Sequence, residues 1–459
     1  MYEPDYLLLI YTLQLLLMLP IAERVYRFAC DPREIVSPLT LIVTAFCYLY
    51  VAGYYTAASE ELATYTTPAA LFRLMMLAVL AYYAYILGFA MGLRTPTAKS
   101  RPFCYGWSCW YAMALIAAGF AGQLVLTQKF GGFIAFYSEP HGRAADWEQV
   151  SAYLYSLPRL MFPGAFLLYA ALVRYGLPGV LPRIGVFATL AFYGFQTYVF
   201  GNRGDTIRLF LLFVVTPMLL RGRVRLSHFT VLAAAAIALS AVVLFPFLRE
   251  AVHLGSEKSV VQAMDDIVSD EPVDLDHRMD SGRELFLAAA LVDAVSKANL
   301  YDLGRYWLYP FVNLVPRFIW PDKPYASDWS VGIYNVLPVY HPGWILYPGI
   351  FPTGVADTFV RFSWFGVLAW FIFGWWGGRL WSNAMTTRGI IEAGYLWAYL
   401  MIICHFVAQD FFAGWHAWLF YMVPVWWASF VAAILTGVRG GMPPLRDQPG
   451  GGPATASVR

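Results

Sequence analysis

The amino-acid sequence predicts an all-α, polytopic integral membrane protein with about eleven transmembrane helices and a large external loop. Of the 459 residues, 59% are hydrophobic and only 13% are charged, whereas about a quarter of the residues in a soluble domain carry a charge. Apolar runs of about 20 residues, long enough to cross a bilayer, recur along the chain. Backbone polar groups in hydrocarbon must be paired internally, so these runs are predicted to be helices.

The predicted spans follow the apolar runs in order. They lie at residues 6–22, 37–56, 70–93, 107–126, 160–176, 183–201, 205–220, 228–247, 355–377, 391–409 and 413–437. The seventh is short, and Pro217 is expected to kink it. The first segment is expected to be retained as a helix, because it lacks the basic flank and the cleavage site of a secretory signal.

The orientation follows from the loops that hold lysine and arginine, since such loops stay cytoplasmic. One alternating set of loops contains Arg24, Arg27, Arg33, Arg94, Lys99, Arg101, Arg174, Arg183, Arg221, Arg223, Arg225, Arg379, Arg388, Arg439, Arg446 and Arg459. The opposite set begins with Glu3 and Asp5 and continues with Glu60 and Glu61. The N-terminus is therefore predicted outside and the C-terminus inside.

The predicted spans and their orientation divide the chain into four parts. Residues 1–247 hold the first eight helices and an outer loop at 127–159, residues 248–354 form the large external loop, and residues 355–437 hold the last three helices. Residues 438–459 are rich in Gly and Pro and are expected to be a disordered cytoplasmic tail. Because a structureless loop of this length is uncommon, the external loop is the expected place of function.

The net charge of +2 does not suggest a nucleic-acid partner. Cys104 and Cys109 have no histidine or cysteine close by to complete a zinc site. The sequence thus predicts no metal site and no cofactor. The partner that it does predict is the lipid bilayer.

The external loop changes character along its length. Residues 257–280 are acidic, and Asp274, Asp276 and His277 resemble a metal-binding triplet, although a solvated acidic loop is the favoured interpretation. Residues 281–300 have the period of an amphipathic helix, which is expected to lie on the membrane surface. Residues 301–320 are rich in aromatic residues and proline, which suits the bilayer interface.

Basic residues on the predicted outer side are candidates for binding an anion, because guanidinium groups bind phosphate through two hydrogen bonds. They are Arg203 in the turn GNRGDTIR and, in the external loop, Arg278, Arg283, Arg317 and Lys323. The alternative for Arg203 is that it pairs locally with Asp205 and caps the next helix. Asp357 and Arg361 are four residues apart, so they can pair on one helix face. His341 is a candidate base, and His405 with Asp410 is a weaker pair.

Three stretches resemble the Wzy class of O-antigen and repeat-unit polymerases, and within it the enterobacterial common antigen polymerase type. GNRGDTIRLFLLF at 201–213 is similar to the family's Gly-x-Arg turn before an apolar helix. VPRFIWPDKP at 315–324 resembles its Ile-Pro-x-x-Leu-Trp-Pro segment, and FPTGVADTFVRFSWFG at 351–366 its Ser-Pro-Thr-x-x-Gly segment. The chain departs from the family in having Asp357 where many members carry Glu or Gly.

The resemblance implies a bacterial inner-membrane glycosyltransferase whose active site faces the periplasm. Its donor and acceptor would be oligosaccharide repeat units linked to undecaprenyl pyrophosphate, and a flippase and a chain-length regulator would be partners. Arg203, Arg278, Arg283, Arg317, Lys323 and Arg361 would bind the pyrophosphate. His341 or Asp357 would activate the acceptor hydroxyl, and the reaction would invert the anomeric centre without a metal.

Other classes of function remain open from the residues alone. A transporter or flippase of lipid-linked glycans is the runner-up, but the sequence shows neither the internal repeat nor the interrupted helices expected of one. An O-antigen ligase is a further possibility. A metal-dependent glycosyltransferase would use Asp274 and Asp276.

Overall fold

The computed structural model describes most of the predicted membrane helices and part of the external loop. The described residues are 4–56, 66–97, 99–132, 136, 154, 156–176, 180–200, 209, 211–221, 280–301, 303–304, 308, 311–312, 315, 319–323, 339–340, 353–408 and 411–438. The predicted eighth span at 228–247, the acidic segment 257–279 and the tail from 439 lie outside these residues. Within the described ranges every regular element is helical.

The helices are α1 (Pro4–Cys30), α2 (Pro38–Phe46), α3 (Gly53–Thr56), α4 (Pro68–Arg94), α5 (Tyr105–Lys129), α6 (Met161–Tyr175), α7 (Val180–Phe200), α8 (Thr216–Arg221), α9 (Asp280–Ala298), α10 (Gly354–Phe362), α11 (Gly366–Thr387), α12 (Ile390–Ala408) and α13 (Phe411–Val438). A π-helical turn, Cys47–Ala52, joins α2 to α3, and another, Leu211–Val215, precedes α8. Short 3₁₀ turns occupy Pro32–Val36, Leu157–Leu160 and Ser363–Phe365.

Seven helical segments among the described residues are long and apolar enough to cross a membrane. Three shorter apolar helices lie at Val180–Phe195, Leu211–Leu220 and Ile390–Ile403. Each predicted span that lies wholly or partly inside the described ranges is helical there. Seven segments among the described residues meet the length of a membrane crossing, so the predicted count of eleven is not confirmed. The chain is a polytopic helical membrane protein.

The helix boundaries have local causes. Ser37 and Thr67 each cap a helix, accepting the N–H of the residue three positions on, and a proline fills the first helical position after each. The first helix runs beyond its predicted end at residue 22 to Cys30. An ion pair between residues one helical turn apart supports this charged extension, with Arg27 Nε 2.8 Å from Glu23 Oε1.

Contacts between helix ends agree with the predicted alternation. Arg101, just before α5, donates its backbone N–H to Glu392 in the first turn of α12, and its guanidinium lies 4.5 Å from the Tyr395 ring centre. Arg174 at the end of α6 donates to the Leu220 carbonyl at the end of α8. These segments belong to the predicted cytoplasmic set, and we call this end of the bundle the basic end.

The centre of the bundle is the contact between α4 and α11, which depends on glycine. Gly88 and Gly92 on α4, and Gly374 and Gly378 on α11, are each four residues apart. A Cβ atom at any of the four would collide with the backbone of the partner helix. Small residues at this spacing let membrane helices approach until their backbones touch. Hydrogen bonds also join both helices to α12. The Tyr399 hydroxyl of α12 donates to the Phe373 carbonyl of α11 at 2.9 Å and lies 3.1 Å from the Tyr85 hydroxyl of α4.

The predicted amphipathic helix of the external loop exists as α9, but it does not lie on the protein surface. Every residue from Leu285 to Val295 is buried, and α9 packs against α3, α4 and α10. Ala288, Ala289, Ala290 and Ala294 keep the helix narrow, so neighbours can cover it on all sides. The expectation of an interfacial helix was therefore wrong for this segment.

The residues described after α9 fit the expected bilayer interface better. Leu303, Leu308 and Ile319 are largely exposed, and so are Phe311 and Trp320 to a smaller extent. Exposed apolar and aromatic side chains are typical of segments at headgroup depth. Tyr301, which precedes these residues, contacts the bundle, because its ring packs edge-on against Phe359 of α10 with the centres 5.7 Å apart.

Candidate functional site

The candidate site is built around the short helix α10, at the end of the bundle opposite the basic end. Thr353 caps this helix, and its Oγ1 accepts the N–H of Ala356 at 3.4 Å. Tyr50, from the π turn after α2, donates its hydroxyl to the same Oγ1 at 2.8 Å. Gly354 lets α10 touch α12, because a Cβ there would collide with the Phe406 carbonyl. The start of α10 is thus fixed from two other parts of the bundle.

Asp357 and Arg361 form an ion pair inside the bundle, as their spacing predicted. Arg361 Nε donates to Asp357 Oδ1 at 3.0 Å, and Nη2 lies 3.0 Å from the same oxygen. The two residues are 0% and 2% exposed. Removing two charges from water is costly, so each depends on the other for compensation. Charged side chains buried among membrane helices are usually functional.

The helix that carries this pair is interrupted at Ser363, two residues after Arg361. Ser363 has φ 52° and ψ −142°, a left-handed conformation that a residue with a Cβ rarely adopts. A 3₁₀ turn follows, and α11 begins at Gly366. The sequence did not indicate this break, because residues 355–377 read as one apolar run. Strained backbone of this kind concentrates at functional sites.

One hydrogen bond ties the two halves of the interrupted helix together. Trp370 on α11 donates its indole N–H to Thr358 Oγ1 at 3.1 Å, and the Thr358 hydroxyl lies 3.0 Å from the Gly354 carbonyl. Trp370 is fully buried and packs edge-on against Phe46, with the ring centres 5.3 Å apart. The break is therefore held in a fixed geometry.

We expect Tyr50→Phe to lower the free energy of unfolding by about 1 kcal/mol, the usual net value of one hydrogen bond, because Thr353 Oγ1 would lose one of its two donors. Thermal unfolding in detergent measures this. Tyr48→Phe is the matched control, since Tyr48 lies in the same π turn and is 47% exposed. Equal effects of the two substitutions would contradict the role given to the Tyr50 hydroxyl.

Lys323, a predicted pyrophosphate ligand, is directed into its own loop. The residue is 6% exposed, and its ammonium donates to the Val315 carbonyl at 3.1 Å. This bond joins the two ends of the VPRFIWPDK segment. In this geometry the lysine organises the loop.

The other predicted site residues lie wholly or partly outside the described residues. Arg283 belongs to α9, but its side chain is outside the described residues, as is that of His405 on α12. Entirely outside them lie His341, Arg203, Arg278, Arg317, Asp274, Asp276, His277, Glu60, Glu61 and Asp410. In the described part of the chain, no three His, Cys, Asp or Glu side chains converge as metal ligands.

The structure adds residues that sequence reasoning missed. Thr353 had a readable signal, because a threonine before a helix is a good cap. No sequence signal indicated the other two residues. Tyr50 lies far from α10 in the sequence, and Trp370 lies beyond the unexpected break at Ser363. The amphipathic pattern of α9 places Asp293 away from the apolar face, but the structure buries it at 4% exposure.

The long apolar helices place the chain among multi-pass helical membrane proteins. No protein-family model, no curated protein and no solved structure matches the chain.

Proposed function

We propose that this protein is a glycosyltransferase that joins polyprenyl-pyrophosphate-linked oligosaccharide units into a surface polysaccharide. The observation that carries the proposal is the buried Asp357–Arg361 pair, which lies in one of the three stretches that resemble repeat-unit polymerases. A buried pair at the end opposite the basic end suits a substrate that reaches the outer leaflet. In this proposal the chain has eleven spans and lies in a bacterial inner membrane with its site facing the periplasm.

The chemistry requires cations more than a base. The leaving group is already a pyrophosphate, whose negative charge grows as the bond to the anomeric carbon breaks. Preorganised cations stabilise such charge, and removing one typically costs about 10²- to 10³-fold in rate. Arg203, Arg278, Arg283, Arg317 and Arg361 are the proposed cations, whereas Lys323 organises the external loop through its hydrogen bond to the Val315 carbonyl.

The ion pair restricts what its two members can do. While Arg361 Nε and Nη2 contact Asp357 Oδ1, that oxygen is occupied and does not contact an acceptor hydroxyl. His341 therefore remains the other candidate base. In the proposal, an arriving pyrophosphate takes the place of Asp357 on Arg361 and so frees the carboxylate near the reacting centre.

Arg203→Ala is expected to abolish long glycan chains while single capped repeat units and the amount of protein stay normal, because one pyrophosphate contact is lost. Glycan ladders from cells carrying the variant measure this. Arg225→Ala is the matched control, because it lies in a predicted cytoplasmic loop. Unchanged ladders for Arg203→Ala would contradict the assignment.

A transporter or flippase of lipid-linked glycans is the second candidate, and one observation favours it. The segment Gly354–Thr387 is long enough to span the membrane but is interrupted at Ser363. Interrupted helices with charges nearby are typical of transport sites. Loss of the flippase function would trap single units on the cytoplasmic face, whereas loss of a polymerase leaves them accessible from outside.

A further inference from the structure

A second group of charges lies away from the Asp357–Arg361 pair. Arg73 is in the second turn of α4, at the end of the bundle opposite the basic end. Asp293 and Lys297 lie one turn apart on α9, which packs against α4. A cation on this side runs against the charge bias that orients membrane helices. Ionisable residues in such segments usually have a function.

Among the described residues, this group brings together two cations and one carboxylate. Lys297 Nζ lies 2.5 Å from Asp293 Oδ2, so the carboxylate is already neutralised by a close partner. Arg73 Nη1 lies 3.6 Å from the other oxygen, beyond hydrogen-bond distance. Arg73 is therefore attracted to the carboxylate but keeps its N–H donors for another acceptor.

The two cations are accessible and the carboxylate is not. The side chain of Arg73 is 35% exposed and that of Lys297 is 50% exposed, whereas that of Asp293 is 6% exposed. An anion can thus contact both cations without meeting the buried carboxylate. Just beyond α9, Leu300 and Leu303 are 45% and 80% exposed, so an apolar surface lies next to the charges along the chain.

We propose that Arg73 and Lys297 form a binding site for the phosphate of a lipid headgroup, with the adjacent leucines against its hydrocarbon. A guanidinium and an ammonium together suit a phosphate or a diphosphate. The lipid is either a polyprenyl diphosphate or an anionic glycerophospholipid, which share this chemistry. The site does not depend on the proposed transferase activity.

Binding to the purified full-length protein in non-ionic detergent tests this proposal, with farnesyl diphosphate and phosphatidylglycerol as ligands and farnesol as the phosphate-free control. We expect Arg73→Gln and Lys297→Gln each to weaken binding about tenfold, the effect of losing one charged hydrogen bond. Arg73→Lys should retain most of the affinity. Arg94→Gln, an exposed arginine at the other end of α4, should bind as the wild type does.

Asp293→Asn is expected to raise the affinity for the ligand, because it removes the carboxylate that competes for both cations. Tighter binding in this variant supports the site. Preference for farnesyl diphosphate or for phosphatidylglycerol identifies the lipid, and either result supports a phosphate site. The proposal is overturned if the wild type binds neither, or if the double variant Arg73→Gln/Lys297→Gln binds with unchanged affinity.

Thermal unfolding of the same variants separates binding from structure. Arg73→Gln is expected to unfold near the wild-type temperature, since its guanidinium lies 3.6 Å from Asp293 and is partly exposed. Lys297→Gln is expected to unfold at a lower temperature, because it removes the close partner of the buried Asp293 carboxylate. A lowered unfolding temperature with unchanged affinity would show a purely structural ion network. Because binding needs no glycan transfer, failure of the polymerase proposal leaves this measurement interpretable.

Discussion

Replacing Arg361 with methionine is expected to destabilise the protein by about 3–5 kcal/mol, the usual cost of leaving one charge of a buried pair without its partner. Asp357 would then remain at 0% exposure without the guanidinium of Arg361. The exposed Arg94 on α4 gives a matched control. Arg94→Met should change the unfolding free energy by less than about 0.5 kcal/mol.

The double variant Asp357→Leu/Arg361→Met makes this prediction more specific. Replacing both members of a buried ion pair by apolar residues is often neutral or stabilising. The double variant should therefore recover most of the stability lost in Arg361→Met. Unfolding measurements on both single variants and on the double variant give the coupling free energy between the two residues. If the double variant is as unstable as the single one, the pair is not the cause of the loss.

Activity should not recover together with stability. If the pair acts on the substrate, the double variant should form no long glycan even though its stability is restored. A double variant that is both stable and active would reduce the pair to a structural feature of α10. The comparison thus separates a role in folding from a role in the reaction.

Gly374→Leu is expected to disrupt the packing of α4 against α11. A Cβ at this position would meet the backbone of Tyr85, and backbone cannot rotate away as a side chain can. The helices must separate, so the loss should reach or exceed about 3 kcal/mol, the upper end of ordinary overpacking. The measurement is the yield and thermal unfolding of the variant in detergent.

Gly194→Leu on α7 is the matched control for this prediction, because nothing lies within 4 Å of a Cβ built there. Leucine also has a higher helix propensity than glycine, by somewhat under 1 kcal/mol. The control should thus be neutral or slightly stabilising. Similar losses at both positions would mean that the α4–α11 contact does not depend on glycine.

Local patterns in the sequence predicted much of the fold. Hydropathy located every described membrane helix, and the four-residue spacing of Asp357 and Arg361 predicted their pairing. The glycine spacing within α4 and α11 is also readable, but it does not say which helices meet. That choice is made by tertiary packing.

Other features depend on partners distant in the chain. The Tyr50–Thr353 hydrogen bond joins residues 303 positions apart, and no period in the sequence encodes it. The burial of α9 on all sides also exceeds what its pattern indicated, because alanines read equally well as a solvent-facing or a packed surface. The break at Ser363 comes from a strained backbone conformation within an apolar run, which hydropathy cannot register.

The most direct test of the proposed function is polymerisation in liposomes that contain only the purified protein and a polyprenyl-pyrophosphate-linked repeat unit. The wild type should convert single units into a ladder of longer chains, and the stable double variant Asp357→Leu/Arg361→Met should not. Movement of intact single units across the bilayer by the wild type, with no longer glycan formed, would contradict the proposal and favour a flippase.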